Sequence, residues 1–230
     1  MSGRRLVIAI DGPAGAGKST IASQLARKLG YVNLESGAMY RALGLKAIEQ
    51  GVAVDQEPAM KKLAEDTRIE LAPTPTGNRV MLDGRDVSAR IRERDVSDAA
   101  SRLSVHPAVR AWMVARQREM GARGGVVMEG RDIGTVVFPQ AEVKIFLDAD
   151  PGERARRRIL QLDAAGDPQR AARLTAELQE RDRRDITRAV APLAAAADAV
   201  HIDSSALNVE QVVAEAECIV NQRLAALEAK

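Results

Sequence analysis

The 230 residues carry 34 Lys+Arg against 32 Asp+Glu, a net charge of +2, with 46% hydrophobic and 29% charged residues. This is the composition of a soluble globular chain, and it excludes a globally polycationic one. No apolar run approaches the roughly 18 residues of a membrane span. Aromatic residues make up only 2% of the chain, so the core has to be built from Ala, Val, Ile and Leu. Cys218 is the single cysteine, which rules out an internal disulfide and a cysteine metal cluster; it reads as a helix-face residue. Asp11 and the glycines after it interrupt any signal-peptide apolar region, so a cytoplasmic location is expected.

In chain order, Leu6-Val7-Ile8-Ala9-Ile10 reads as a buried strand. Gly12 to Ser19 then match G-x-x-x-x-G-K-[ST]. The glycines let successive backbone N–H groups turn inward around a polyphosphate, and the helix that follows aims its positive end at the same place. Lys18 is expected to reach the β/γ-phosphates, and the Ser19 hydroxyl to bind Mg²⁺. Ile21, Ala22, Leu25, Ala26 and Leu29 form one apolar face of that helix, which Gly30 ends. Residues 31–34 form a second strand. Ser36 is placed to N-cap a helix running towards Glu49 and closed by Gly51. A further helix is expected over Glu57–Thr67.

Residues 68–88 change character. Ile69-Glu70-Leu71, Arg79-Val80-Met81-Leu82 and Arg85-Asp86-Val87 predict a three-stranded antiparallel patch. Pro73, Pro75 and Gly77-Asn78 mark its first turn, and Asp83-Gly84 a tight hairpin. This patch belongs to an inserted subdomain over roughly 36–98. Helices follow over Val96–Leu103 and from Pro107 to about Arg118, stopped by Gly124-Gly125. Val126-Val127-Met128 is a strand ending in Glu129-Gly130-Arg131-Asp132, and residues 143–147 another ending at Asp148. Charged helices run from Pro151 to about Leu162 and on to about Thr187, separated by the breaker Asp163 to Pro168. Residues 200–202 form a last strand and 208–228 a closing amphipathic helix.

Strands and helices alternating in this way predict an α/β fold with a mostly parallel sheet and helices on both faces. Ligands of such sheets sit beyond the carboxyl ends of the strands. The glycine loop, Glu35-Ser36 and Glu129 to Asp132 should therefore converge. Arg41, Arg131, and Arg181, Asp185 and Arg188 at i, i+4, i+7 suggest an anionic acceptor, bound bidentately and relieved of charge during transfer. An acceptor phosphate is largely dianionic at neutral pH and needs no general base. His106 and His201, with no motif around either, read as structural. Dense arginines are also the mark of a solvated helix face, or of a nucleic-acid surface, for which the aromatic residues are too few. Glu129 is open between orienting metal-bound water and holding structural neighbours.

Several segments together resemble bacterial-type cytidylate kinases of the nucleoside monophosphate kinase family. They are residues 10–19, 36–42, 84–88, Val96-Ser97 through Ser101, Val109-Arg110, Gly130 to Pro139, residues 144–149, and Arg181-Asp182-x-x-Asp185 with Arg188. The resemblance runs in order along nearly the whole chain. It implies a P-loop three-layer fold with a five-stranded sheet, an inserted α+β monophosphate-binding subdomain and a short helical lid. The divisions that follow are a core over 1–35, 99–150 and 189–230, the insertion over 36–98, and the lid with its flanking helices over 151–188. The implied reaction transfers the ATP γ-phosphoryl group to CMP or dCMP with Mg²⁺.

The implied ATP contacts are Gly12, Pro13, Ala14, Gly15, Ala16, Gly17, Lys18, Ser19 and Thr20, with Ser19 on Mg²⁺. Ser36, Arg41, Ser101, Arg110, Arg131, Asp132, Asp185 and Arg188 match acceptor positions: Ser101, Arg110 and Asp132 for cytosine, Asp185 for ribose, and Arg41, Arg131 and Arg188 for phosphate. Lys18, Arg131, Arg181 and Arg188 would serve the transfer itself. No nucleic-acid or membrane partner is implied, and a monomer is expected.

Overall fold

The computed structural model describes residues 5–74, 77–162 and 164–229. Five strands form one sheet in the order β2-β6-β1-β7-β8: β2 (Val32–Glu35), β6 (Val126–Gly130), β1 (Val7–Asp11), β7 (Val143–Asp148) and β8 (Val200–Asp203). Every neighbouring pair is parallel. β1 and β6 lie inside the sheet with helices on both faces, which is why both read as apolar runs rather than alternating ones. The register aligns the strand ends. Asp11 stands beside Gly130, and Glu129 beside both Ile10 and Glu35. The polar residues that end β1, β2 and β6 therefore gather at one edge, as their spacing predicts.

Helix α1 (Lys18–Leu29) buries Ile21, Ala22, Leu25 and Ala26 against the sheet and α8 (Val209–Glu228). Gly30 ends α1 at φ 64°, and its N–H donates to the carbonyls of Ala26 and Arg27. Only a residue free to adopt the left-handed region does this without strain. Fully buried Leu25 contributes about 2 kcal/mol by leaving water.

A second apolar cluster lies around the smaller sheet. It joins α2 (Ser36–Glu49), α3 (Glu57–Glu65), α4 (Arg94–Leu103) and α5 (Pro107–Gly121) to the sheet β3 (Ile69–Thr74), β4 (Gly77–Leu82) and β5 (Arg85–Asp86). The β4–β5 turn has φ 49° at Asp83 and 82° at Gly84, a two-residue hairpin with both central residues left-handed. Val87 falls just beyond β5, although its N–H still bonds Val80 O at 2.9 Å. Pro75, expected in the first turn, and Asp163, expected in the breaker, lie outside the described residues.

Ser36 is not the cap of α2. Glu35, still extended at φ −90°, occupies that position because β2 runs straight into the helix. Ser36 is the first helical residue, and its hydroxyl turns to the sheet instead.

After β7, Asp150 caps α6 (Pro151–Gln161) by accepting from the N–H groups of Gly152 and Glu153. Asp167 caps α7 (Pro168–Thr187) through Arg170 N–H. Arg188 lies one residue past α7, extended at ψ 141°, so it does not continue the helical face of Arg181 and Asp185. Its side chain nonetheless returns to the same place. Asn208 and Gln211 close a reciprocal capping box at the start of α8. Among the described residues no helix is long and apolar enough to cross a membrane.

Candidate active site

The glycine loop leaves the end of β1 at the sheet's carboxyl edge. A Cβ on Gly12 would stand 1.9 Å from the carbonyl oxygen of Leu147 in the neighbouring strand, and φ there is 149°. Gly15 and Gly17 adopt φ 78° and 94°. Lys18 folds back under the loop, and its buried Nζ donates to Pro13 O at 2.6 Å. Pro13, Ala14 and Ala16 are buried, while Gly15, Ser19 and Thr20 are exposed on the open side. Ser19 Oγ donates to Glu129 Oε1 at 2.9 Å. Hydroxyl and carboxylate together are a hard-oxygen pair suited to Mg²⁺, with the remaining positions left to phosphate and water. Among the described residues no group of three or more His, Cys, Asp or Glu could hold a metal.

Asp11, the last residue of β1, accepts from Ile133 N–H at 2.8 Å and Gly134 N–H at 2.7 Å. It thereby pins the π-helical turn Ile133–Val137 to the loop. Burial pushes its carboxyl up to about 6 despite these bonds. Nothing in the spacing of the sequence gives this role to Asp11, because its two donors lie more than 120 positions away.

Positive charge is crowded here. Burial, then Arg131 and Arg181, push the Lys18 ammonium down to about 7. Burial and Arg131 push Arg181 down to about 10. Cations that raise one another's energy in this way are stabilised by an entering anion. A polyphosphate at the loop fits both the N–H cradle and the charge.

The end of β6 builds the second half of the site. Arg131 Nε donates to Asp185 Oδ2 at 2.7 Å, from β6 to α7. Burial alone would raise Asp185, but Arg131 and Arg181 outweigh it and hold the carboxyl below its usual range. Asp132 pairs with Arg110 of α5, both buried, and Arg188 Nη2 lies 3.6 Å from Asp132 Oδ1. Arg188 Nη1 is 3.7 Å from Asp185 Oδ1. Arg131, Asp132, Asp185, Arg188 and Arg110 thus form one linked network. The Arg110 guanidinium also lies over the Tyr40 ring, 5.9 Å from its centre.

Three further expected residues are each held separately. Ser36 Oγ donates to Glu129 O at 2.7 Å, Arg41 pairs with Glu35, and Ser101 Oγ accepts from Arg184 Nη1 at 3.1 Å. Among the described residues, buried Nε of Arg41, Nε of Arg110 and Nη2 of Arg188 find no hydrogen-bond partner. Unspent donors on buried arginines are what an anionic, hydrogen-bonding ligand requires.

Some of the supporting residues escape sequence reasoning. Arg154 of α6 donates to Ala14 O at 3.0 Å and pairs with Asp182 of α7, so both helices dock on the glycine loop. Arg184 likewise has no signal beyond its place in a dense arginine run. Of the two histidines, His106 bonds Val54 O at 2.7 Å, and the His201 ring lies 5.3 Å from that of Phe146. Cys218 is exposed on α8.

A family model described as cytidylate kinase matches residues 8–222. The chain is 53% identical over 223 residues to a cytidylate kinase of Solibacter usitatus (strain Ellin6076), covering 96% of this chain and 94% of that one. It is 52% identical over 221 residues to a cytidylate kinase of Geobacillus thermodenitrificans (strain NG80-2), covering 96% and 99%. With a cytidylate kinase of Pelotomaculum thermopropionicum (strain DSM 13744 / JCM 10971 / SI) the identity is 54% over 207 residues, covering 90% and 92%. The family match spans the glycine loop and every arginine of the network, and the chain belongs to the cytidylate kinase family.

Proposed function

We propose that this chain, a nucleoside monophosphate kinase by family, transfers the γ-phosphoryl group of ATP to CMP or dCMP, giving ADP with CDP or dCDP. The observation that carries the choice of base is the buried Arg110–Asp132 pair. Cytosine offers an N4 amino donor beside N3 and O2 acceptors. Asp132 accepts from N4, and the free Nε of Arg110 serves the acceptor side. Uracil reverses donor and acceptor at positions 4 and 3, at a cost of about 1–3 kcal/mol for each buried group left mispaired. Ser101 would serve the base and Asp185 the ribose.

Lys18 and the backbone of Gly12, Pro13, Ala14, Gly15, Ala16, Gly17, Ser19 and Thr20 hold the donor phosphates. Arg41, Arg131 and Arg188 hold the acceptor phosphate, whose oxygen attacks the γ-phosphorus as the bond to the ADP oxygen breaks. Arg131, Arg181 and Arg188 balance charge on the group in transit. Ser19, backed by Glu129, would hold Mg²⁺, which supplies charge neutralisation across the phosphates when bound. Ser36 anchors the acceptor-side helix through Glu129 O. Residues 1–35, 99–150 and 189–230 act as the core, 36–98 as the acceptor-binding insertion and 151–188 as the lid. The chain works as a cytoplasmic monomer, because donor and acceptor meet within one chain, and it needs no nucleic acid or membrane.

The test is ADP release from ATP and Mg²⁺ with CMP, dCMP, UMP, AMP or no acceptor, for the wild type and Asp132→Ala. Strong turnover with CMP and dCMP, little with UMP, and loss of that contrast in the variant are expected. CMP turnover with an unchanged contrast would remove Asp132 as the reader of the base. No turnover with any acceptor would overturn the activity.

A further inference from the structure

Two helix stripes face each other across the acceptor side of the site. On α4, Arg94, Asp98 and Ser101 stand at i, i+4, i+7; on α7, Glu177, Arg181 and Arg184 stand at i, i+4, i+7. The stripes match in register. Arg94 pairs with Glu177 at one end, and Arg184 Nη1 reaches Ser101 Oγ at 3.1 Å and Asp98 Oδ1 at 3.5 Å at the other. Arg181 lies between the two contacts.

The two ends are unequal. Arg94 and Glu177 are 70% and 40% exposed, and a pair so hydrated contributes little. Arg184 is 25% exposed and Ser101 is buried. The guanidinium is also held in place from behind, because its Nε donates to Glu180 Oε1 at 3.0 Å, one turn earlier in α7. A charged donor fixed at one edge and bonded to a buried hydroxyl at the other is the stronger contact.

We infer that Arg184 is a positioning residue for the acceptor, which fixes the Ser101 hydroxyl and sets α7 in register with α4. An arginine only donates, so Ser101 spends one lone pair on it and keeps its proton and remaining lone pair for the acceptor base. The same contact sets the height of α7, and with it Arg181 and Asp185 on that helix. Recognition of the base is thereby tied to placement of the groups that serve the ribose and the transferred phosphate. This deepens the CMP kinase reading and rests on it.

The test is steady-state kinetics of the full chain for Arg184→Ala, Arg184→Lys, Ser101→Ala and the Arg184→Ala/Ser101→Ala double variant, with KM taken separately for CMP and ATP. Losing a charged hydrogen bond predicts a rise of about 10-fold or more in KM for CMP in Arg184→Ala, with KM for ATP within about twofold. Arg184→Lys, which keeps a cationic donor and perturbs folding least, should recover part of the loss. In the Ser101→Ala background Arg184→Ala should cost far less than in the wild type, since the two residues act through one bond.

Equal rises in both KM values, or the same cost in both backgrounds, would overturn the inference and leave Arg184 a purely structural contact. Calorimetric CMP binding by the wild type keeps the two readings apart. Normal wild-type binding and turnover with an unaffected Arg184→Ala refutes this inference alone. A wild type that neither binds nor phosphorylates CMP refutes both.

Discussion

Arg131 Nε donates to Asp185 Oδ2 at 2.7 Å, joining residues 54 positions apart across the mouth of the glycine loop. The bond closes the ring of charge around the site, because Asp185 is the anion that Arg131, Arg181 and Arg188 share. Asp185→Asn keeps the shape and removes that anion. Breaking a buried pair from one side costs about 3–5 kcal/mol, so a clear fall in Tm is expected. Inorganic phosphate should restore Tm more in the variant than in the wild type, since it replaces the missing charge. The sign with pH follows from the depressed carboxyl: its stabilisation is present above the ordinary carboxylate range and is lost as pH falls through the folded value. Acid unfolding of the variant should accordingly be shallower, as melts across pH would show.

Lys18 is lowered as well, and it acts with the same sign at higher pH. Its folded value of about 7 lies below the ordinary 10.5, so the unfolded chain binds more protons between those values. Stability of the free protein should therefore rise as pH increases from about 7 towards 10. An entering polyphosphate favours the charged ammonium, so ATP binding near pH 7.5 should take up a proton. Calorimetry in two buffers of different ionisation enthalpy measures this, and Lys18→Met should lose most of the uptake.

Two glycines of the loop separate space from conformation. Gly12→Ala drives a Cβ to 1.9 Å from Leu147 O, a backbone atom held in the sheet, so folded protein should be scarce. Gly17 has nothing within 4 Å of the same atom, and only its φ of 94° opposes a side chain. Gly17→Ala should fold with a loss of about 1–2 kcal/mol. Equal expression and equal Tm for both variants would contradict the geometry.

Asp11 offers a further contrast. Its two backbone donors need two acceptor oxygens, and an amide has one. Asp11→Asn should cost about 1–3 kcal/mol in denaturant unfolding for the N–H left unpaired. The raised carboxyl works against the wild type as pH climbs from its ordinary 3.8 to about 6, because the folded chain holds a proton that the unfolded chain releases. The Asn variant should lack that decline, narrowing the difference at higher pH.

Where structure depends on neighbours within a few residues, the chain is readable directly. The glycine loop, the left-handed stop at Gly30, the Asp83-Gly84 hairpin and the apolar face of α1 all follow from local sterics and periodicity. The ends of β1, β2 and β6 converge because parallel strands share one carboxyl edge, so even the neighbourhood of the site is legible. Ser36 shows where local rules stop: its sequence suits a cap, but β2 enters the helix directly and the hydroxyl is drawn to Glu129 O.

By itself, then, the sequence determines the phosphate cradle, the alternation of strands and helices, and which residue types carry charge to one edge. The tertiary structure alone decides how those charges pair. Arg110 meets Asp132, Arg131 meets Asp185 and Arg184 meets Ser101 across 22, 54 and 83 positions. No short-range preference selects among so many arginines. The choice belongs to burial, since inside the fold a cation is stable only beside the acceptors that the packing brings within reach.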